Sequence, residues 1–293
     1  MIDKIINKLK GLNIAILGFA REGRSSFEFI KKYLPNQHVT IIDQKDFSEE
    51  LKDENVTFIT GDNYLDNLDE YDLVLKTPGI SLIGIDCSSI VISSQIELLL
   101  EINREKVIGI TGTKGKSTTT ALTYEILRQN GIKCVLSGNI GIPIFSLLDQ
   151  VDEDTYFVVE MSSHQLEKLD LSPHIGVILN LFQDHLDHTG GVDEYYKAKM
   201  HMFMYQNSDD YMIYYKDNDT LRDWISKGDY KGKDCSVSLF EKGSIYLNNN
   251  KVYYNDSVVF DSNIKRNIIG KHNFINIMVA FLIGKIFDID NDN

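Results

Sequence analysis

Short apolar runs recur through the first hundred residues, separated by polar turns and stretches of helical spacing. Asn13 to Gly18 is followed by a helical pattern from Ser25 to Tyr33, and the apolar runs return at Val39 to Asp43, Leu73 to Lys76 and Ile90 to Ile92. This alternation predicts a parallel α/β sheet. A second series starts at Val107 and continues with Lys133 to Leu136, Tyr156 to Glu160, Ile175 to Leu179 and Tyr211 to Tyr215. The break near Asn103 to Lys106 predicts two domains, 1–104 and 105–293. From Val237 to Asp261 the pattern changes to short strands and polar turns. There Gly243 to Leu247 and Lys251 to Tyr254 flank Asn248-Asn249-Asn250, which predicts a hairpin and an antiparallel addition to the second domain. A last helix, Asn273 to Phe287, leads into a polar tail.

One stretch adds chemistry to this pattern. In Val107-Ile-Gly-Ile-Thr-Gly-Thr-Lys-Gly-Lys-Ser-Thr-Thr-Thr120 an apolar strand enters a glycine-rich turn and then a helix. Such a turn lets Gly112, Thr113, Lys114 and Gly115 close backbone N–H groups around a polyphosphate. The helix presents its positive end, Lys116 adds a charge beside the β- and γ-phosphates, and Ser117 or Thr118 offers a hydroxyl to magnesium. Ile110 stands where the usual phosphate-loop pattern has its first glycine, so the loop is expected to be shortened. Glycine-lysine-serine triplets also occur in ordinary surface turns. Here the strand before and the amphipathic run Leu122 to Leu127 after favour the phosphate reading.

A similar turn lies between Ile14 and Ser26, with Gly18, Ala20, Arg21, Glu22 and Gly23, and Asp43 closes the next strand. Ala20 replaces the middle glycine of a dinucleotide fingerprint and the third element is shifted, so a nicotinamide cofactor is a weak inference. A different phosphate-bearing ligand fits equally well, with Asp43 accepting from a ribose hydroxyl or a base N–H. Close strand-helix packing is the alternative role for Gly18 and Gly23. Thr77, Pro78 and Gly79 form a second turn expected on the same carboxyl edge. The fold class expected from these pieces is α/β, a Rossmann-like parallel-sheet domain followed by a P-loop NTPase-like domain with a small antiparallel β addition.

The 30 basic and 43 acidic side chains leave a net charge of −13 in 293 residues, which argues against nonspecific binding to nucleic acid or anionic membrane. Anions must then be met by local cradles. Cys87, Cys134 and Cys235 lack metal-type spacing and suit a reducing compartment. They read as fillers rather than catalytic thiols. No apolar run reaches the roughly 18 residues of a membrane span and the first residues do not form a signal peptide, so a cytoplasmic location is expected. A monomer is the separate expectation for its assembly.

Two acidic strand ends should project from the edge that bears Lys116. One is Glu160, closing Tyr156 to Glu160; the other is the group Asp184, His185, Asp187 and His188 after Ile175 to Leu179. A carboxylate there can hold magnesium. The His-x-x-His spacing lacks a nearby fourth ligand and fits zinc poorly. His164, His201 and His272 read as structural or surface histidines.

Together these motifs resemble the Mur ligase family: the TGTKGKST loop, the strand-end glutamate, Asp184-His-Leu-Asp-His188, Tyr195-Tyr-Lys-Ala-Lys199 and Gly270-Lys-His-Asn-Phe-Ile-Asn276. The first half is most similar to the D-glutamate-adding members, through Leu17 to Ser25, Thr77 to Ile80, Ser94 to Glu97, Ser137 to Gly141 and Glu160 to Gln165. The resemblance implies ATP at Gly112 to Thr118, with Asn273 and Asn276 contacting the nucleotide. Magnesium would be held by Ser117, Glu160, His185 and a carbamoylated Lys199. It implies catalytic roles for Lys116, Glu160, His185 and Lys199, and UDP-N-acetylmuramoyl-L-alanine and D-glutamate as partners. Asn139, Ser162, Gln165 and Asp184 would meet the muramoyl-alanine end of that substrate. The turn from Gly18 to Arg24 would hold UDP, with Asp43 near the uridine. Carbamoylation needs a neutral amine, so the Lys199 pKa must fall from about 10.4. Residue pattern alone does not separate Lys199 from Lys197.

Family members carry a third, C-terminal domain, and the resemblance covers the first two. This leaves three alternatives open: a binding fragment inactive alone, a ligase adding another amino acid, and a folylpolyglutamate synthetase-type ligase.

Overall fold

The computed structural model describes residues 1–183, 191–263 and 270–290. The chain forms two compact units, Met1–Asn103 with Ile142–Glu153, and Arg104–Gly141 with Asp154–Asn293.

The first unit runs α1 (Ile2–Leu9), β1 (Ile14–Leu17), α2 (Arg21–Tyr33), β2 (Val39–Ile42), β3 (Val56–Ile59), β4 (Leu73–Lys76), β5 (Ile92–Ser93) and α3 (Gln95–Asn103). Its five strands are all parallel, in the order β3-β2-β1-β4-β5. Every residue of β1, β2 and β4 is buried, and Ala15, Leu17, Ile42, Val74 and Leu68 form one apolar cluster. Strand order reverses between β1 and β4, the place where open parallel sheets take ligands at their carboxyl ends. The sequence pattern did not announce β3. This edge strand is half exposed, and Thr57 dilutes its apolar run.

In the second unit, β6 (Val107–Thr111), α4 (Lys116–Gln129) and β7 (Cys134–Gly138) come first. The chain then supplies α5 (Ile144–Leu147) to the first unit. Phe145 donates its N–H to Gln95 Oε1 at 3.1 Å and sets its ring 4.6 Å from Phe29, while Lys32 pairs with Asp149 at 2.7 Å. This return departs from the simple division at residue 104, because the alternation of elements is local and says nothing about which sheet a short helix joins.

The second unit resumes with β8 (Tyr156–Glu160), α6 (Ser163–Leu166), β9 (Ile175–Ile178), α7 (Val192–Met204), β10 (Tyr211–Tyr215), α8 (Asp219–Lys227) and β11 (Lys233–Ser238). It closes with β12 (Ile245–Asn248), β13 (Lys251–Tyr254), β14 (Ser257–Asp261) and α9 (Lys271–Ile286). Its strands form one sheet in the order β14-β13-β12-β11-β10-β9-β6-β8-β7, parallel from β7 to β12 and antiparallel through β13 and β14. The expected antiparallel addition therefore extends the main sheet. Asn249 and Asn250, with φ of 47° and 62°, make the left-handed pair that a two-residue hairpin turn requires. Val279, Ile283 and Met278 of α9 are fully buried in the core that also takes Leu127 of α4. No helix among the described residues is long and apolar enough to cross a membrane.

Candidate active site

β6 delivers five buried residues to the interior of the second sheet, between β9 and β8, and the loop after it opens directly onto α4. Gly115 caps α4 with φ +89°, and a Cβ on it would lie 2.8 Å from Asn276 Oδ1. Only glycine combines that left-handed backbone with so close an approach. Asn276, buried on α9, also donates to Asn273 Oδ1 at 3.2 Å, so the two expected nucleotide contacts sit together against the loop. No side chain caps α4, which leaves its first N–H groups facing the loop.

Two lysines converge on this loop. Lys116 Nζ donates to the carbonyls of Gly112 at 3.0 Å and Thr113 at 3.1 Å. Lys199, on α7 and 1% exposed, donates to the same Gly112 carbonyl at 3.3 Å and to Thr111 Oγ1 at 3.4 Å. Lys197 is exposed. Glu160 ends β8, the neighbour of β6, and is 2% exposed. Its Oε1 accepts from Asn139 Nδ2 at 3.1 Å, while Oε2 is buried without a hydrogen-bond partner among the described residues. A buried carboxylate oxygen left in that condition fits a hard divalent cation such as magnesium, which prefers oxygen donors. Ser117, in the first turn of α4, is exposed, as are Lys114 and Asn139.

Ser162 and Gln165 form a capping box for α6: Ser162 N–H donates to Gln165 Oε1 at 3.0 Å, and Gln165 N–H to Ser162 Oγ at 3.3 Å. Asp184, His185, Asp187 and His188 lie outside the described residues. Residue pattern missed two groups that hold the loop. Asn180, just past β9, accepts the Lys114 N–H and donates to the Lys114 carbonyl, both at 2.9 Å. Tyr195 places its ring 4.6 Å from Lys199 Nζ and its hydroxyl 3.3 Å from Thr113 Oγ1. The apolar face of α7, read at helical spacing through Tyr195, Lys199 and Met202, would have pointed to both Tyr195 and Lys199.

In the first unit, Gly18 has φ +91°, and a Cβ there would come within 2.1 Å of Thr77 Oγ1. The turns after β1 and β4 are thus in direct contact, and Thr77 also donates to Leu17 O at 3.1 Å. Asp43 accepts from Phe19 N–H at 2.7 Å and Lys45 N–H at 2.9 Å, which fixes the turn from the side of β2. Arg24 stacks between Phe19 and Phe47 at 4.8 Å and 5.1 Å and pairs with Glu50. Burial pushes the Glu22 carboxyl up to about 7, against the opposing pull of Lys76 and Arg21. Ala20, Arg21 and Gly79 are exposed, Pro78 is half-buried, and Gly23 is buried.

Elsewhere, Glu105, His174 and Asp210 bring ligand-type atoms within 4.8 Å of one another. Arg104 already answers this charge, reaching Asp210 at 2.5 Å and Glu105 at 2.9 Å. Burial raises the Cys134 and Cys235 thiols to about 11, which makes them poor nucleophiles. His201 sits under Leu166 O at 2.8 Å, its pKa lowered by burial.

Fold and site define an α/β protein with one parallel and one mixed sheet, whose second unit carries a strand, glycine turn and helix in the order of a phosphate-binding loop. Residues 110–284 match the family profile described as the Mur ligase middle domain. A UDP-N-acetylmuramoylalanine--D-glutamate ligase from Clostridium botulinum strain 657 is 35% identical over 304 residues, covering 99% of this chain and 65% of the relative. The chain therefore spans about two thirds of that relative's length. The UDP-N-acetylmuramate:L-alanyl-gamma-D-glutamyl-meso-diaminopimelate ligase of Neisseria meningitides aligns with a TM-score of 0.61 at 16% identity, covering 96% of this chain and 95% of that one. The MurF ligase of Thermotoga maritima, solved with ADP, aligns with a TM-score of 0.53 at 16% identity, covering 94% and 60%. These two likenesses concern the fold. The chain belongs to the Mur ligase family.

Proposed function

We propose that this chain provides the sugar-nucleotide and ATP units of a cytoplasmic ligase that joins D-glutamate to UDP-N-acetylmuramoyl-L-alanine in peptidoglycan precursor synthesis. The observation that carries the reading is the meeting of Lys116 and Lys199 on the Gly112 carbonyl, with the buried, half-satisfied carboxylate of Glu160 ending the adjacent strand. The D-glutamate assignment is supported by the name of the relative at 35% identity.

In the proposed reaction a carboxylate oxygen of the substrate attacks the γ-phosphorus of ATP, and the bond to ADP breaks. The amine of D-glutamate then attacks the acyl carbon of the resulting acyl phosphate. Phosphate leaves with the electron pair of the C–O bond, and the amine loses a proton. Rate acceleration in such a step comes from positioning and charge neutralisation. Lys116 exchanges the Gly112 and Thr113 carbonyls for phosphate oxygens, and the N–H groups from Gly115 to Thr118 add fixed dipoles, while those of Thr113 and Lys114 stay with Asn180.

Magnesium, when bound, neutralises charge on the transferring phosphoryl group. Ser117, Glu160 and His185 would hold it, together with Lys199 once its amine has taken up carbon dioxide, lost a proton and become a carbamate. Asn273 and Asn276 would contact the nucleotide. The turn from Gly18 to Arg24, with Asp43 and the Thr77-Pro78-Gly79 turn, would hold the UDP-sugar at the switch point of the first sheet.

Phosphate release by the whole ligase, with D-glutamate, L-alanine and a diamino acid offered in parallel, tests the assignment. D-glutamate alone should support turnover; preference for another amino acid would move the protein to another branch of the family.

A further inference from the structure

Asn139 follows directly on β7, the edge strand, whose register sets Gly138 opposite Glu160. Asn139 grips Glu160 twice: its backbone N–H donates to the Glu160 carbonyl at 2.9 Å, and its Nδ2 donates to Oε1 at 3.1 Å. The partner is 2% exposed, yet Asn139 itself is exposed, so the bond is not a by-product of core packing.

The choice of an amide matters. A lysine or arginine at this position would neutralise the carboxylate and leave it little affinity for a metal. An amide donates one hydrogen bond, fixes the plane of the carboxyl group and leaves the negative charge in place. With Oε1 held by Asn139, Oε2 is the oxygen left buried and unpartnered among the described residues.

We infer that Asn139 is a positioning residue for the metal site. It holds Oε1 of Glu160 so that Oε2 is presented to a divalent cation travelling with the nucleotide. The inference rests on the proposed role of Glu160 as a magnesium carboxylate. It gives the Asn139 side chain a task separate from the substrate contact that the resemblance implies.

Manganese titration followed by electron paramagnetic resonance, on this chain with β,γ-methylene ATP, tests it without turnover. Asn139→Ala, and Asn139→Leu of similar size without a donor, should each weaken manganese binding about 10-fold or more, the usual effect of losing a group that orients a metal ligand. Affinity for the metal-free nucleotide should be unchanged, which also reports that the loop is intact. Adding Asn139→Ala to Glu160→Gln should weaken binding no further than Glu160→Gln alone. Wild-type manganese affinity in the Asn139 variants, or losses that add in the double variant, would overturn the inference while Glu160 keeps its role. Unchanged manganese binding in Glu160→Gln itself would remove the parent reading and this one together.

Discussion

Around Gly112 to Gly115 the second unit gathers two lysine side chains, an asparagine clamp and a carboxylate with one oxygen unanswered among the described residues. Around Gly18 to Gly23 the first unit offers an aspartate engaged by two backbone N–H groups, a threonine wedged against the turn, and a glutamate facing Lys76. Both turns join a buried parallel strand to a helix with no side-chain cap. The same local pattern therefore supports different chemistry, and the difference is imported from elsewhere in the chain. Lys116 beside the loop carbonyls suits a ligand with several phosphate charges; a turn stiffened by Asp43 and Thr77 suits a more static hold on a sugar nucleotide.

Removing the charge at one turn should leave the other unaffected. Lys116→Ala should cost on the order of 100-fold or more in turnover of the whole ligase, as losses of preorganised transition-state donors do. Calorimetric affinity of this chain for UDP-N-acetylmuramoyl-L-alanine should not change. Near-normal phosphate release would refute the role given to Lys116, and a lost sugar-nucleotide affinity would show that the turns are not independent.

Gly18→Ala attacks the other turn through its backbone. The left-handed conformation alone costs a side chain about 1–2 kcal/mol, and the 2.1 Å approach to Thr77 Oγ1 adds to it. Hydrogen exchange on β1 and β4 should speed up, while β6 amides stay protected.

A pH test separates the units more gently. For Glu22 the usual carboxylate value of 4.5 rises to about 7 on folding, so the folded state binds more protons between those values. Stability of the first unit is therefore fully supported below about 4.5 and falls as pH rises towards 7, by up to about 3 kcal/mol. Glu22→Gln should flatten this dependence in urea unfolding followed by circular dichroism. The single tryptophan, Trp224 of α8 in the second unit, should report no such change in its fluorescence.

The smallest effect is expected from Asn180→Ala, which removes two hydrogen bonds to Lys114 and should cost about 1–2 kcal/mol in loop stability. It should weaken ATP-analogue binding measured by calorimetry without touching the first turn.

The strands Leu73–Lys76, Tyr156–Glu160 and Tyr211–Tyr215 were legible to the residue, because each is an apolar run ended by a polar side chain. The hairpin at Asn249-Asn250 was legible from its left-handed turn residues. A second turn of the same kind, Asn255-Asp256 with φ of 49° and 61°, joins β13 to β14 and carries the same signal. The glycine turn between β6 and α4 was readable locally for the same reason, with Gly115 at φ 89°. What surrounds it was not: Asn180, Tyr195 and the Asn139 bond to Glu160 depend on strand order and register, which a linear pattern does not contain. Lys199 lies between these cases. Only the family resemblance selected it over Lys197, and helical spacing puts it on the buried face of α7.

The most direct test is a crystal of this chain grown with magnesium, a non-hydrolysable ATP analogue and UDP-N-acetylmuramoyl-L-alanine. Triphosphate density is expected on the Gly112 to Thr118 loop, an ion on Glu160 Oε2, and uridine density at the Gly18 to Arg24 turn. Nucleotide bound with Glu160 turned away from any ion, or the ATP analogue seated at Gly18 instead, would contradict it.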